Sequence, residues 1–335
     1  MVLKPVTRKR LFGAVSVSAA VLLAVALITP LIGSTRIDFA NALVPNTTDH
    51  EILFRARIPR VILSLLAGAV LAVAGVLFQA LLRDGLATPY TLGVSSGASL
   101  GAVAAICLGW EYAGGLPAIW VFALAGAGLA LGLVLAVASE GRRMSSFTLL
   151  LSGVTINSVC LATILLLQNF ATFGQSFAIV RWLMGGIESV EYATLLWLAA
   201  AILPVLGFVF WKAREWNLLA VGEDWAAARG VSVSRLITAG FIAGSFLTAV
   251  VTAVTGPIGF VGLIVPHALR LKVGSDHRML LPCSCLLGAA FLALCDTVSR
   301  TFVSPGEVPV GVITALLGGP FFIWLLRTRR RSLWL

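Results

Sequence analysis

Charge is what this chain has least of. Only 11% of its 335 residues are Asp, Glu, Lys or Arg, against roughly 25% in an average soluble domain, while 59% are hydrophobic. Mean hydropathy is +1.01, and the shortage of charge runs along the whole length, so lipid and not water must solvate the surface. No soluble domain of useful size remains. Histidine is equally sparse. His50, His267 and His277 are scattered, with no HExxH pattern and no carboxylate at ligand spacing, which argues against a membrane metalloenzyme. No nucleophile and base are brought together for an intramembrane enzyme of another kind. The four lysines follow Leu3, Arg8, Trp211 and Leu271, never a glycine. A P-loop is therefore missing, and any ATP must be hydrolysed by another polypeptide. Asp296 is the only acid bordering an apolar stretch closely enough to count, whereas an ion-coupled secondary transporter would normally carry carboxylates within mid-membrane helices.

The five cysteines, Cys107, Cys160, Cys283, Cys285 and Cys295, all fall inside apolar runs and read as small buried hydrophobes, not as a disulfide framework. Cys283-Ser284-Cys285 is a poor metal pair, because side chains two apart on a helix point to different faces. The net charge of +10 sits in short basic clusters between apolar runs. That pattern speaks for membrane topology and not for nucleic acid.

What the chain has in abundance is long uncharged stretches. There are nine: Leu11 to Thr35, Val61 to Leu82, Gly85 to Trp110, Tyr112 to Ser139, Met144 to Val180, Tyr192 to Trp211, Leu236 to Leu269, Met279 to Cys295, and Val308 to Leu326. A crossing helix needs about 20 apolar residues. The first run is too long for a signal core and reads as an uncleaved first helix. Nine crossings would put the arginine-rich tail opposite the basic N-terminus, so an even number is required. Breaking Leu236 to Leu269 at Gly256-Pro257 places 18 of the 24 basic residues inside; breaking Met144 to Val180 near Gly174 places only about 15 there. The first alternative predicts an all-α polytopic membrane protein of ten transmembrane helices, a single domain over 1–335 with both termini cytoplasmic. Residues 1–10, 212–235 and 327–335 are then cytoplasmic, and Gly33 to Arg60 forms a large outer segment. A crossing of only about fourteen residues, Ile258 to Leu271, must be shielded by its neighbours.

Several motifs carry further expectations. Gly68, Ala69, Ala72 and Gly75 form a small-residue stripe that lets helix backbones approach closely. Leu92 to Ala98 is a glycine and serine cluster, a poor helix former in water. Asp296 and Arg300, four apart, share a helical face, as a functional pair or as a local ion pair at a helix end. Arg55, Arg57 and Arg60 run against the positive-inside bias on the outer side and suit an acidic docking partner. In Ala220 to Val231 an alanine run bracketed by glycines, with Glu223 and Asp224 at its start, predicts a short helix. Being charged, this segment cannot span, and it suits a groove on a partner protein.

Taken in order, Arg57-Ile58-Pro59-Arg60, Gly68-Ala69 with Gln79, Leu92 to Ala98, Leu151 to Val154, Trp182 to Gly186, Gly222-Glu223 with Ala226 to Gly230, Gly256 to His267, and Pro309 to Pro320 form a set. The set resembles the FecCD-type permeases, membrane subunits of ATP-binding cassette importers for ferric siderophores, haem and cobalamin. Asp84-Gly85 departs from the Asn-Pro usual there. The resemblance covers roughly Arg55 to Arg327 and implies a type II importer permease in the bacterial inner membrane. It implies a homodimer, or a heterodimer of like subunits, with two ATPase subunits and a periplasmic substrate-binding protein. ATP and Mg would sit on the ATPase; this chain would hold no cofactor, no metal and no catalytic residue. The region matching the coupling helices contains Gly222, Glu223, Asp224, Ala226, Ala227, Arg229 and Gly230. Arg57, Arg60 and Arg300 match the outer arginines that receive carboxylates of the binding protein, and Ser145, Ser146 and Phe147 match the cytoplasmic gate of the path. A ferric siderophore is the foremost cargo implied, with haem and cobalamin as alternatives.

Overall fold

The computed structural model describes residues 7–33, 35, 37–110, 112–113, 115–140, 143–144, 146–303 and 306–328. Helix α1 is Arg8–Ile28, started by Thr7, whose side chain accepts from Arg10 N, and a short tight turn, Thr29–Leu31, follows it. The outer segment contains two single-turn helices, α2 Phe39–Ala42 and α3 Thr48–Glu51, then a wide helical turn Ile52–Arg57. That turn runs directly into α4, Ile58–Leu82. Helices α5 Val94–Leu108 and α6 Ala118–Ala138 follow, joined by a two-stranded turn of β1 Tyr112–Ala113 and β2 Leu116–Pro117. A second such turn, β3 Ser139–Glu140 and β4 Arg143–Met144, leads to α7 Ser146–Phe170. The chain continues with α8 Phe173–Leu183, α9 Tyr192–Trp211, α10 Ala213–Val221, α11 Glu223–Ala228, α12 Val233–Thr255, α13 Val261–Val273, α14 His277–Thr301 and α15 Val310–Thr328.

Helix α4 is the axis of the bundle, buried almost throughout, with α12, α13 and α14 packed around it. The small-residue stripe explains this position. A Cβ on Gly75 would lie 2.1 Å from the Gly262 carbonyl of α13, and one on Gly68 would lie 2.3 Å from the Gly288 carbonyl of α14. The backbones touch, and Gln79 Nε2 donates to Gly262 O at 3.0 Å across the same seam.

Among the described residues, seven helices are long and apolar enough to cross a membrane: α1, α4, α6, α7, α9, α12 and α14. Helices α5 and α15 are apolar but shorter, and α13 has 13 residues. Leu236 to Leu269 breaks where expected, with Gly256 at φ +67, a left-handed backbone that glycine takes without Cβ strain. Met144 to Val180 breaks as well. Thr172 and Gln175 form a reciprocal cap that starts α8, but at 11 residues α8 is too short to cross. The glycine and serine cluster is helical from Val94 onward, contrary to its propensity. Gly97 lies against Gly126, and Gly101 against the Phe122 carbonyl, so packing of α5 on α6 outweighs the cost of glycine in a helix.

Candidate coupling and translocation site

The segment 212–235 contains two short helices, α10 and α11, the second at the alanine run where a short helix is expected. Helix α10 buries Trp216 and Leu219, and Trp216 Nε1 donates to Val209 O at 2.9 Å. Gly222 then turns the chain into α11, whose first residues are Glu223 and Asp224 and whose end is followed by Gly230 at φ +81. Asp224, Trp225, Ala227, Arg229 and Gly230 are exposed, Ala226 is buried and Gly222 half-buried. Trp225 is 61% exposed, and the Arg229 guanidinium sits 5.8 Å from its ring centroid.

Glu223 does not point to solvent alone. Its Oε1 accepts from Arg83 Nη2 at 3.0 Å and from Ser146 Oγ at 3.3 Å, and Ser146 Oγ also reaches Leu81 O at 2.8 Å. Glu223 therefore ties α11 to the end of α4 and to the first residue of α7. Arg83 closes α4 in the left-handed conformation, φ 52, and Asp84 Oδ1 turns the chain by accepting from Leu86 N at 2.9 Å. Phe147, the next gate candidate, is 72% exposed. Ser145 lies outside the described residues.

A second tie holds α10. Asn217 Nδ2 donates to Asp276 Oδ1 at 2.9 Å, while Asn217 Oδ1 accepts from His277 N at 2.8 Å. Burial alone would raise the Asp276 pKa, but hydrogen bonds from Arg278 and Asn217 outweigh it and hold the carboxyl at about 2. Asp276 is recognisable in the sequence as an N-cap before α14. Its partner Asn217, like the Arg83 partner of Glu223, has no local signal.

At the opposite end, the arginines expected to dock an acidic partner form an internal network. Arg57 is buried and donates to the carbonyls of Pro30, Leu31 and Thr35. Arg300, only 4% exposed, reaches Ile32 O at 3.2 Å and Thr29 O at 3.3 Å, and its Nε lies 3.2 Å from Asp296 Oδ2. Arg60 bridges Asp296 at 3.0 Å and Glu307 at 2.9 Å, and only Glu307 is well exposed. Both guanidiniums that seal the end of α1 are thus occupied by it, and in this conformation neither Arg57 nor Arg300 is presented outward. Arg55 is exposed and pairs with Glu51 at 3.2 Å. The Asp296–Arg300 relation is a buried ion pair shared with Arg60.

Between α5 and α7 lies a cavity of about 390 Å³, lined by Tyr90, Thr91, Ser95, Ser96, Ser99, Val154, Asn157 and Pro257. Next to it, α7 leaves Thr155 and Ser158 exposed, their hydroxyls turned back to Leu151 O and Val154 O. Of the cavity residues, Ser95, Ser96, Val154 and Pro257 belong to the sequence motifs singled out above, whereas Tyr90, Thr91, Ser99 and Asn157 carry no local signal.

Comparison with known proteins agrees with this geometry. The model of the FecCD transport family matches residues 20–328. The hemin transport system permease HmuU of Yersinia pestis is 36% identical over 304 residues, covering 90% of this chain and 91% of that protein. The vitamin B12 import system permease BtuC of Escherichia coli O9:H4 is 40% identical over 281 residues, covering 83% and 84%. Among solved structures, an inward-facing ABC transporter described as of metal-chelate type superposes with a TM-score of 0.82 at 31% identity, covering 95% of this chain and 98% of that one.

Proposed function

Because the chain belongs to the FecCD transport family and is a multi-pass membrane permease, we propose that it is one half of the channel of an ATP-driven importer for a metal chelate. A ferric siderophore is the foremost cargo. The relatives named for hemin and vitamin B12 support a bulky chelate of this kind and keep haem and cobalamin as alternatives. Ten crossings, with α5, α13 and α15 completing the seven long ones, put both termini on the cytoplasmic side.

The observation that carries the proposal is the contact of Glu223 with both Arg83 and Ser146. A charged helix too short to span is bonded to the first residue of α7, the helix that begins at the gate candidates Ser146 and Phe147. On this proposal α10 and α11 seat on a separate ATPase, which holds ATP and Mg. Two such chains face each other across the path, and a periplasmic binding protein delivers the chelate. Closure of the ATPase pair moves α11, and the two permease halves rock between inward and outward states, each ligand shifting only states that it distinguishes. Docking of acidic groups on the outer surface falls to Arg60 at the rim of the buried network, with Arg57 and Arg300 as its support. The test is reconstitution into sealed vesicles. Uptake of chelate should require the ATPase subunit and ATP; uptake by the permease without them overturns the proposal.

A further inference from the structure

Arg60 divides its guanidinium between two carboxylates that differ in burial. Nε and Nη2 donate to Asp296 Oδ1 at 3.2 and 3.0 Å, and the Asp296 side chain is 1% exposed. Nη1, the remaining nitrogen, donates to the two oxygens of Glu307 at 3.1 and 2.9 Å, and the Glu307 side chain is 49% exposed. The first contact fixes the orientation of the guanidinium. The second covers its remaining edge with a carboxylate that solvent already reaches.

Glu307 is tied to nothing else. Among the described residues its carboxylate bonds Arg60 alone, and it lies in the irregular lead-in to α15. The neighbouring backbone is anchored, because Val308 N donates to Ser299 O of α14 at 3.3 Å, so Glu307 stays beside the network while its side chain can turn away. An ion pair with so exposed a member adds little to stability and exchanges partners at small cost. Arg57 and Arg300 offer no such exchange. Their donors are spent on carbonyls at the end of α1, which cannot leave without disturbing that turn. Of these three arginines, only Arg60 meets an incoming anion with a replaceable partner. Glu307 also shows which anion fits, a carboxylate with both oxygens within hydrogen-bond reach of Nη1, the charge-assisted contact to which a guanidinium is suited.

We propose that Glu307 is an internal competitor of the acidic docking partner: it covers Arg60 while the outer face is free and yields it when a carboxylate of the binding protein arrives. The proposal rests on the docking role assigned to Arg60 above. Apparent affinity is the intrinsic affinity reduced by the fraction of molecules whose site is open. Glu307 therefore sets docking weaker than the uncovered guanidinium would, and the partner is released more readily after delivery.

Equilibrium binding of the fluorescently labelled cognate binding protein to the complete permease and ATPase assembly tests this, in nanodiscs of phosphatidylcholine and at low ionic strength, where exposed charges are least screened. Glu307→Gln keeps the size of the side chain and removes its charge. Binding should tighten about two- to fivefold, the worth of an exposed ion pair. Glu51→Gln, which removes a second exposed acid paired with an outer arginine, should leave affinity nearly unchanged. Arg60→Lys keeps a cation on Asp296 without the planar fork that reaches two carboxylates; it should weaken binding, and adding Glu307→Gln to it should bring no gain. The exchange is overturned, with docking at Arg60 left standing, if Arg60→Lys weakens binding but Glu307→Gln does not tighten it, if Glu51→Gln tightens it equally, or if the gain persists in the Arg60→Lys background. Unchanged binding in Arg60→Lys removes the docking role and the exchange together.

Discussion

Arg83 and Glu223, 140 positions apart in the chain, meet at 3.0 Å where α4 ends and α11 begins. The pair is partly exposed, 43% and 32% at the two side chains, so its contribution to stability is small, on the order of 0–1 kcal/mol. Its consequence is positional. The same Glu223 oxygen holds Ser146, so α11 cannot be displaced without disturbing the first turn of α7. Glu223→Arg should therefore lower the stimulation of ATP hydrolysis by loaded binding protein several-fold, by setting two cations against each other. The exchange Arg83→Glu with Glu223→Arg should recover much of it. A double-mutant cycle on stimulated ATPase rate in liposomes measures the coupling, and additive losses would remove Glu223 from this role.

How much of this was legible beforehand depended on whether the signal was local. The break at Gly256-Pro257, the short helix at Glu223–Ala228 and the small-residue seam on α4 all follow from adjacent residues or helical spacing. The start of α5 was not legible, because only contact with α6 makes its glycines helical. The buried state of Arg57 and Arg300 was not legible either. Their partners are the carbonyls at the end of α1, and backbone acceptors leave no mark on composition. Ser145, Ser146 and Phe147 stand together in sequence, but the link of Ser146 to Glu223 depends on two distant segments folding together.

The α4 seam gives a stability test with an internal control. A Cβ on Gly75 would overlap the Gly262 backbone, whereas Gly13 on α1 has nothing within 4 Å. Gly75→Val forces α13 away from α4, an overpacking cost of about 1–3 kcal/mol or more. Thermal unfolding in detergent should fall by several degrees for Gly75→Val and stay unchanged for Gly13→Ala. Equal midpoints for both variants would show that the seam is not close-packed.

Asp296 provides a second test, because it is buried between Arg60 and Arg300. Removing one partner of a buried ion pair leaves an uncompensated charge and costs about 3–5 kcal/mol, while removing both partners costs less. Asp296→Ala, which leaves Arg60 and Arg300 facing each other with no carboxylate between them, should lower the unfolding midpoint more than the double variant Asp296→Ala with Arg300→Ala. Arg300→Ala also frees the carbonyls of Thr29 and Ile32 at the end of α1, so proteolysis of the outer segment should quicken. If the double variant is the less stable of the two, the network is not electrostatic in origin.

Acid should loosen the grip of α10 on α14. The Asp276 carboxyl is held at about 2, below its usual value near 4. A depressed folded pKa gives stabilisation that is fully present above about pH 4 and is lost as pH falls through about 2. Asp276→Asn should lower the unfolding midpoint at neutral pH, and the gap to the unmodified protein should shrink as pH falls through that window. A gap independent of pH would mean that Asp276 acts through its shape and not its charge.

The sidedness of α11 decides between transport partners. The basic residues divide most unequally when Lys212 to Arg235 lies inside, and α10 and α11 together carry Arg214, Glu215, Glu223 and Asp224, too many charges for a segment within lipid. Ala227 is exposed on α11; Cys160, Cys283 and Cys295 are buried but Cys107 and Cys285 only half-buried, so the variant is made with those two replaced by alanine. Ala227→Cys should resist an impermeant thiol reagent in intact cells and react readily once the membrane is permeabilised. Ready labelling in intact cells would place α11 on the outer face, where no ATPase can reach it, and would detach Glu223 from any motor.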